Sequence, residues 1–371
     1  MIINRRTALG LISGIGGTAF AAGRGNAAEI PKKKLGVALV GLGSYSKGEL
    51  APALLKTKNA TLTGIVTGSP EKIPKWQKEY AVPDANVYSY ETFDKIAENK
   101  EIDIIYLVLP PGLHAEYCIR AAKAGKHVIC EKPMAATAVE CDAMIAAARD
   151  AGVSLHIGYR LHWDPHHQRM MEVAKMKELG ELKSIETALA YHNSNPNPKN
   201  WKLSKKLGVA GELYNLGTYP LQAAIYISGE NPIRLTAQSH NSRPEIFAEI
   251  AEGYDWEMEF PSGLIAKCMA SAGKSGNFLN VTANAGKFEL DQAAFGYRGI
   301  GGHVNGTRMD FPPVNQQALQ IDGICEAIAK GEKGMVPGEM GRRDVAILEA
   351  IVKSAATHEP VELGDLGYGA F

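Results

Sequence analysis

A short apolar run over 35–40 ends directly in Gly41-Leu42-Gly43-Ser44-Tyr45-Ser46, and no other feature constrains the chain as much. A strand that stops on two glycines one residue apart, ahead of a helical pattern over 49–56, reads as the start of a dinucleotide-binding βαβ unit. Gly41 permits the tight turn. Gly43 lets the backbone approach a pyrophosphate, which then rests on the helix N-terminus. Ser46 stands at the third glycine position and is small enough for close helix–strand packing. Alone the motif is weak; its weight comes from the pattern downstream of it. Apolar runs over 61–67, 103–109, 127–130 and 154–157 alternate with helical patterns over 71–80, 91–99, 115–124 and 139–151. Such alternation predicts a parallel sheet with helices on both faces. The runs show little period-two polarity, as expected of strands buried on both sides.

The tip of the second run bears on nucleotide choice. An NAD site places an acid there for the ribose 2′-hydroxyl, whereas this chain reads Val66-Thr67-Gly68-Ser69-Pro70-Glu71-Lys72. Thr67, Ser69 and Lys72 are suited to a 2′-phosphate through hydroxyl and ammonium donors, which favours NADP. Glu71 is the competing ribose acid.

From about residue 181 the runs lengthen and alternate in polarity. Strands are expected over 184–191, 233–239, 255–260, 264–270 and 278–283, separated by turn signals such as Pro261-Ser262-Gly263. This predicts a mostly antiparallel, open sheet in an α+β domain. Helices are expected over 212–227, 317–330 and 340–358. The expected organisation is a Rossmann dinucleotide-binding domain over 34–158 and a substrate-binding and oligomerisation domain over 159–371.

Composition narrows the partners. Lys+Arg and Asp+Glu both total 40 in 371 residues, which speaks against nucleic acid and against a basic membrane-binding surface. The five cysteines show no metal-type spacing, and no disulfide framework is expected. Arg5-Arg6 before a mild apolar stretch from Ala8 to Ala22, then small residues through Ala28, reads as a twin-arginine export signal over 1–28. The expected location is the periplasm, with the export machinery as a partner and no stable membrane anchoring. No NADP pool exists there, so an exported nicotinamide enzyme has to keep and recycle its cofactor.

Candidate chemistry gathers at the junction of the halves. Glu131-Lys132-Pro133 directly follows the run over 127–130, at the end of a strand where ligands bind in open α/β sheets. Lys132 there can orient a substrate hydroxyl and assist an acid/base group. Asn215 and Tyr219 share a helix face four residues apart. Tyr219 can take a proton from a hydroxyl, although the spacing fits equally a half-buried Tyr packed beside Pro220. His162, Asp164, His166 and His167 have metal-like residue types, but Pro165 is suited to begin a helix there and spoils the ligand face. They are read as pocket lining or helix-start polar groups, and no metal is expected.

These segments carry a resemblance. Gly41-Leu42-Gly43, the 109–114 stretch Leu-Pro-Pro-Gly-Leu-His, the 124–134 stretch ending Glu131-Lys132-Pro133-Met134, Ile157-Gly158-Tyr159-Arg160 and the 210–219 stretch occur in order. The chain resembles the Gfo/Idh/MocA oxidoreductases, and within them an exported branch acting on sugars. The resemblance implies Lys132 and Tyr219 as the catalytic pair. It implies cofactor contacts at Gly41, Leu42, Gly43, Ser44, Tyr45, Thr67, Ser69, Lys72, Leu109, Pro110, His114, Glu131, Lys132, Arg160, Trp201 and Tyr297. Substrate contacts are expected at Tyr159, His162, Trp163 and Asn215. The family usually has Asp where this chain has Asn215. The exported branch also carries a Pro-rich arm before the first strand, in place of which only Glu29–Lys34 stands here. The implied activity is oxidation of an aldose at C1 to a lactone and reduction of a second sugar to an alditol, on one tightly bound NADP(H), in a homodimer or homotetramer. A simple sugar dehydrogenase with exchangeable cofactor, a nicotinamide-dependent glycosidase and a non-catalytic sugar-binding protein are the alternatives.

Overall fold

The computed structural model describes residues 34–370; the expected export signal lies outside them. The first sheet contains β1 (Leu35–Val40), β2 (Ala60–Val66), β3 (Val87–Tyr88), β4 (Ile104–Leu107), β5 (His127–Cys130) and β6 (Leu155–Ile157). Every pairing in it is parallel, in the order β3-β2-β1-β4-β5-β6. The chain therefore builds outward from β1 to β3, then crosses to β4 and builds the other way. That reversal opens a crevice beyond the carboxyl ends of β1 and β4, where such sheets bind ligands. The two central strands are apolar because helices cover both faces: Val37 to Val40 and Ile104 to Leu107 are fully buried.

The second sheet contains β7 (Leu182–Ala190), β8 (Arg234–His240), β9 (Gly253–Glu259), β10 (Ile265–Ser271), β11 (Gly276–Ala283), β12 (Gly286–Gln292), β13 (Gly301–Val304), β14 (Thr307–Arg308) and β15 (Val361–Glu362). Its order is β14-β13-β12-β11-β7-β10-β9-β8-β15. All pairs are antiparallel except β7 with β10. One face packs on helices through Ile185, Leu189, Trp256, Met258, Ala266, Leu279 and Phe288. The opposite face carries polar residues such as Glu257 and Lys267, paired at 3.5 Å. This alternation is what one buried and one solvated face require.

Helices occupy Pro111–Lys123, Ala138–Asp150, Pro165–Lys175, Thr218–Ser228, Gln316–Lys330 and Gly338–Thr357. The Gln316–Lys330 helix returns to the first sheet, whose core includes Ile321, Ile324 and Cys325. The expected helix over 91–99 is a 3-10 segment, Phe93–Glu98, and the expected strand over 103–109 stops at Leu107.

Two helices beside the crevice begin with a π-helical turn. Ser46–Leu50 precedes Ala51–Leu54, and Leu213–Gly217 precedes Thr218–Ser228. Each is followed closely by a proline, Pro52 or Pro220. Proline has no N–H to return to the preceding turn and its ring crowds the carbonyl four residues back. Widening that turn relieves the clash. Pro220 thereby shapes the backbone around Asn215 and Tyr219.

Candidate active site

The turn after β1 is built for close approach. Gly41 has φ +90°, and a Cβ there would sit 2.5 Å from the Val108 carbonyl oxygen, so only glycine fits. A Cβ on Gly43 would meet nothing within 4 Å. The backbone there borders open space at a helix start, which fits a pyrophosphate. Ser46 Oγ donates to the Gly41 carbonyl at 2.5 Å, so the residue in the third glycine position ties the turn to its helix. Lys72 Nζ donates to the Leu42 carbonyl at 3.2 Å. Thr67 Oγ1 accepts from Ser69 N at 3.0 Å. Thr67, Ser69 and Lys72 thus flank the glycine turn, while Glu71 is exposed.

The segment after β5 splits into a buried and a presented part. Glu131 is buried; its Oε1 accepts from the Tyr106 hydroxyl at 2.9 Å, and its Oε2 accepts from Lys132 N at 3.2 Å. Burial raises its carboxyl above the ordinary range, against the pull of Lys132 and the Tyr106 hydrogen bond. Gly158 must lack a side chain here, because a Cβ would lie 2.5 Å from Glu131 Oε1. His114 is also buried, between the Pro133 carbonyl at 3.0 Å and the Leu109 carbonyl at 2.8 Å. Burial holds its ring pKa down to about 4 despite those carbonyls. Glu131 and His114 therefore fix the loops that carry Leu109, Pro110 and Lys132 rather than facing the crevice. The Lys132–Pro133 peptide bond is cis.

Lys132 Nζ donates to the Asn215 carbonyl at 2.6 Å and lies 4.7 Å from the Tyr219 ring centroid. In a π-turn the residue five ahead supplies the N–H, and five ahead of Asn215 is Pro220. The lysine supplies a donor that the proline cannot. Arg160, 2% exposed, donates to the Phe295 carbonyl at 2.7 Å, the Gly296 carbonyl at 2.9 Å and Gln316 Oε1. Its Nη2 stands 3.5 Å from the Tyr219 hydroxyl. That is long for a hydrogen bond, so the guanidinium acts on the phenol mainly as a nearby charge. Burial alone would push the Tyr219 phenol up, but Arg160 and then Lys132 outweigh it and hold it below the ordinary tyrosine value.

A segment from the second sheet closes this side. Tyr297 stacks on Tyr45 with centroids 5.7 Å apart, and Arg160 lies 4.3 Å from the Tyr297 centroid. Arg298 pairs with Glu49 at 3.0 Å. The 295–298 segment is thus tied to the helix that follows the glycine turn. Trp201, with Leu109, Lys132, Pro133 and Asn215, lines a small cavity on the other side.

Three of the expected substrate contacts are placed elsewhere. Tyr159 and His162 are buried, with His162 edge-on to Tyr226 at 5.8 Å. Trp163 packs against the Gln316–Lys330 helix, where a Cβ on Gly323 would meet its Nε1 at 2.6 Å. Tyr159 and His162 are thus buried and Trp163 half-buried, while Asn215 lines the small cavity beside Lys132. Among the cluster with metal-like residue types, Asp164 caps the Pro165–Lys175 helix by accepting from His166 N at 3.0 Å. Gln316 Nε2 donates to the same carboxylate at 2.8 Å. Sequence reasoning missed Phe295, Gln316, Glu212 and Lys202. Glu212 had a signal, since it lies three residues before Asn215 on one helix; the others come from distant segments without a motif.

An open glycine turn at a sheet reversal, facing a lysine and an acidified tyrosine, defines a dinucleotide-dependent oxidoreductase. Residues 35–159 match the family model described as "Oxidoreductase family, NAD-binding Rossmann fold", and residues 167–289 match the GFO/IDH/MocA C-terminal domain. The aldose–aldose oxidoreductase of Caulobacter crescentus, solved in complex with glycerol, is 34% identical with a TM-score of 0.85, over 89% of this chain and 100% of that one. The D-xylose 1-dehydrogenase [NADP(+)] of Haloarcula marismortui is 23% identical over 88% of this chain and 92% of its own length. The D-xylose 1-dehydrogenase (NADP(+)) 2 of Haloferax volcanii is 26% identical over 77% and 86%. The chain belongs to the Gfo/Idh/MocA oxidoreductase family.

Arg160 and Lys132 hold the Tyr219 phenol below the ordinary tyrosine value, so an early tyrosinate absorbance step is expected from it as pH rises. Tyr219→Phe is expected to remove that early step while keeping the fold, and to cut turnover about 10²–10⁴-fold. Lys132→Met is expected to move the step to higher pH. A step unchanged in both variants would show that these charges do not act on Tyr219.

Proposed function

We propose that this protein is an exported sugar oxidoreductase that holds NADP(H) tightly, oxidises an aldose at C1 to a lactone and reduces a second sugar to an alditol in the same site. The observation that carries this reading is the convergence of Lys132, Tyr219 and Arg160 on one crevice wall. The 34% identity to an aldose–aldose oxidoreductase across nearly the whole chain supports the substrate class.

The residues present fit a nicotinamide dinucleotide, which when bound supplies a hydride acceptor and, once reduced, a hydride donor. Gly41 to Tyr45 would hold the pyrophosphate, and Thr67, Ser69 and Lys72 would take the 2′-phosphate. Tyr297 stacked on Tyr45 closes the nucleotide side. Lys132 orients the C1 hydroxyl of the aldose. Tyr219, whose phenol Arg160 and Lys132 acidify, accepts the proton of that hydroxyl in its phenolate form as the C–H bond breaks. In the second half-reaction the same phenol returns the proton to the carbonyl oxygen of the incoming sugar. One acid/base group thus serves both directions, and no net proton is left in the site.

On this reading the protein works in the periplasm after twin-arginine export, as a homodimer or homotetramer, and recycles its nucleotide without release. A simple NADP-dependent aldose dehydrogenase is the second reading, favoured by the two xylose dehydrogenases among the relatives.

The purified enzyme is expected to convert an aldose into equal amounts of lactone and alditol with no nucleotide added. Strict dependence on added NADP+ would select the dehydrogenase reading. Lys72→Ala is expected to weaken NADP binding about tenfold or more, as for loss of one charge-assisted phosphate contact, and to leave NAD binding nearly unchanged. Equal losses for both nucleotides would remove Lys72 from the 2′-phosphate site.

A further inference from the structure

Glu212 and Lys202 stand beside the crevice with no part in the hydride and proton transfers. Glu212 lies one turn before Asn215, and its Oε2 accepts from Asn215 Nδ2 at 2.7 Å. An ionised carboxylate can only accept hydrogen bonds, whereas an amide offers a donor end and an acceptor end. The carboxylate therefore selects the NH₂ end of Asn215 and turns Oδ1 away from itself. Asn215 lines the same cavity as Lys132 and Lys202. The Lys202 backbone runs close against Gly208, where a Cβ would clash with the Lys202 carbonyl oxygen. Burial pushes the Lys202 ammonium down, and the Glu212 charge opposes that.

We propose that Glu212 is a positioning residue of the sugar site, which locks the Asn215 amide so that Oδ1 accepts from a substrate hydroxyl next to the one held by Lys132. This rests on the proposed sugar oxidoreductase activity. Lys132 can only donate and a locked Oδ1 can only accept, so together they read two adjacent hydroxyls in opposite senses. A substrate lacking the second hydroxyl leaves Oδ1 without a donor. The site therefore selects vicinal diols at the reacting end of the sugar.

The test uses the full-length enzyme and D-glucose, with reduction of the nucleotide followed in a single turnover. Glu212→Ala frees the amide and is expected to raise the half-saturating glucose concentration about tenfold, with the maximal rate and nucleotide content little changed. Asn215→Asp places two carboxylates in contact, which repel each other when both are ionised and share a hydrogen bond when one is protonated. Its glucose affinity is expected to fall at neutral pH and to recover as pH is lowered. Glu212→Gln combined with Asn215→Asp reverses donor and acceptor while keeping the hydrogen bond, and is expected to restore affinity at neutral pH. A purely structural role would give no such pH-dependent loss and no such rescue. A wild type active on glucose whose Glu212→Ala variant saturates at the same concentration overturns this inference alone. So does an Asn215→Asp variant that the second substitution fails to rescue. A wild type inert toward every aldose overturns the sugar reading as well.

Discussion

The site depends on a cation taken out of water. Arg160 follows β6 and is 2% exposed, yet its hydrogen bonds go to two carbonyls and an amide oxygen rather than to a carboxylate. A buried charge is costly unless its surroundings answer it. Part of the answer is the 295–297 segment, whose carbonyls converge on the guanidinium. Part is Gln316, which passes the interaction on to Asp164. The rest is Tyr219, whose phenol gains from ionising beside an incompletely compensated cation. One interaction thus sets the position of the segment over the crevice and the acidity of the Tyr219 phenol. Lys132 strengthens the second effect.

The two halves of the chain contribute unlike things. The parallel sheet supplies a reversal point with a glycine turn, at which Gly41 cannot carry a side chain because the backbone after β4 runs too close. The second sheet supplies a wall and a closing segment. Glu131 and His114 join the loops of the first half from beneath, buried and held by fixed partners. They explain why the 131–134 segment is rigid enough to present Lys132.

Much of this was legible in the sequence. The runs over 35–40 and 127–130 coincide with β1 and β5, because strands buried on both faces are apolar without interruption. The glycine turn was legible because only glycine meets its geometry. Strands β3 and β13 to β15 were not, since each has four residues or fewer and little alternation; β12 was missed as well, although Phe288 and Leu290 alternate there with polar residues. The parallel pairing of β7 with β10 was hidden because pairing partners lie far apart in sequence. Within the site, motif residues such as Lys132 and Tyr219 were readable from their place after a strand or on a helix. Tyr159 and His162, expected as substrate contacts, are buried in packing and Trp163 is half-buried against a helix, because proximity in sequence to Arg160 does not say which side chains packing will claim. Glu212 was overlooked although its i, i+3 spacing to Asn215 is a helix neighbour relation. Phe295 and Gln316 reach Arg160 only through tertiary packing.

Direct transfer within one closed site is the central claim, and isotope tracing tests it most directly. The enzyme is supplied with aldose deuterated at C1, an unlabelled acceptor sugar and an excess of free unlabelled NADPH, and the alditol is analysed by mass spectrometry. A nucleotide recycled in place predicts that the deuterium arrives at the reduced carbon of the alditol undiluted. Label diluted into the free nucleotide pool, with mostly unlabelled alditol, would contradict it.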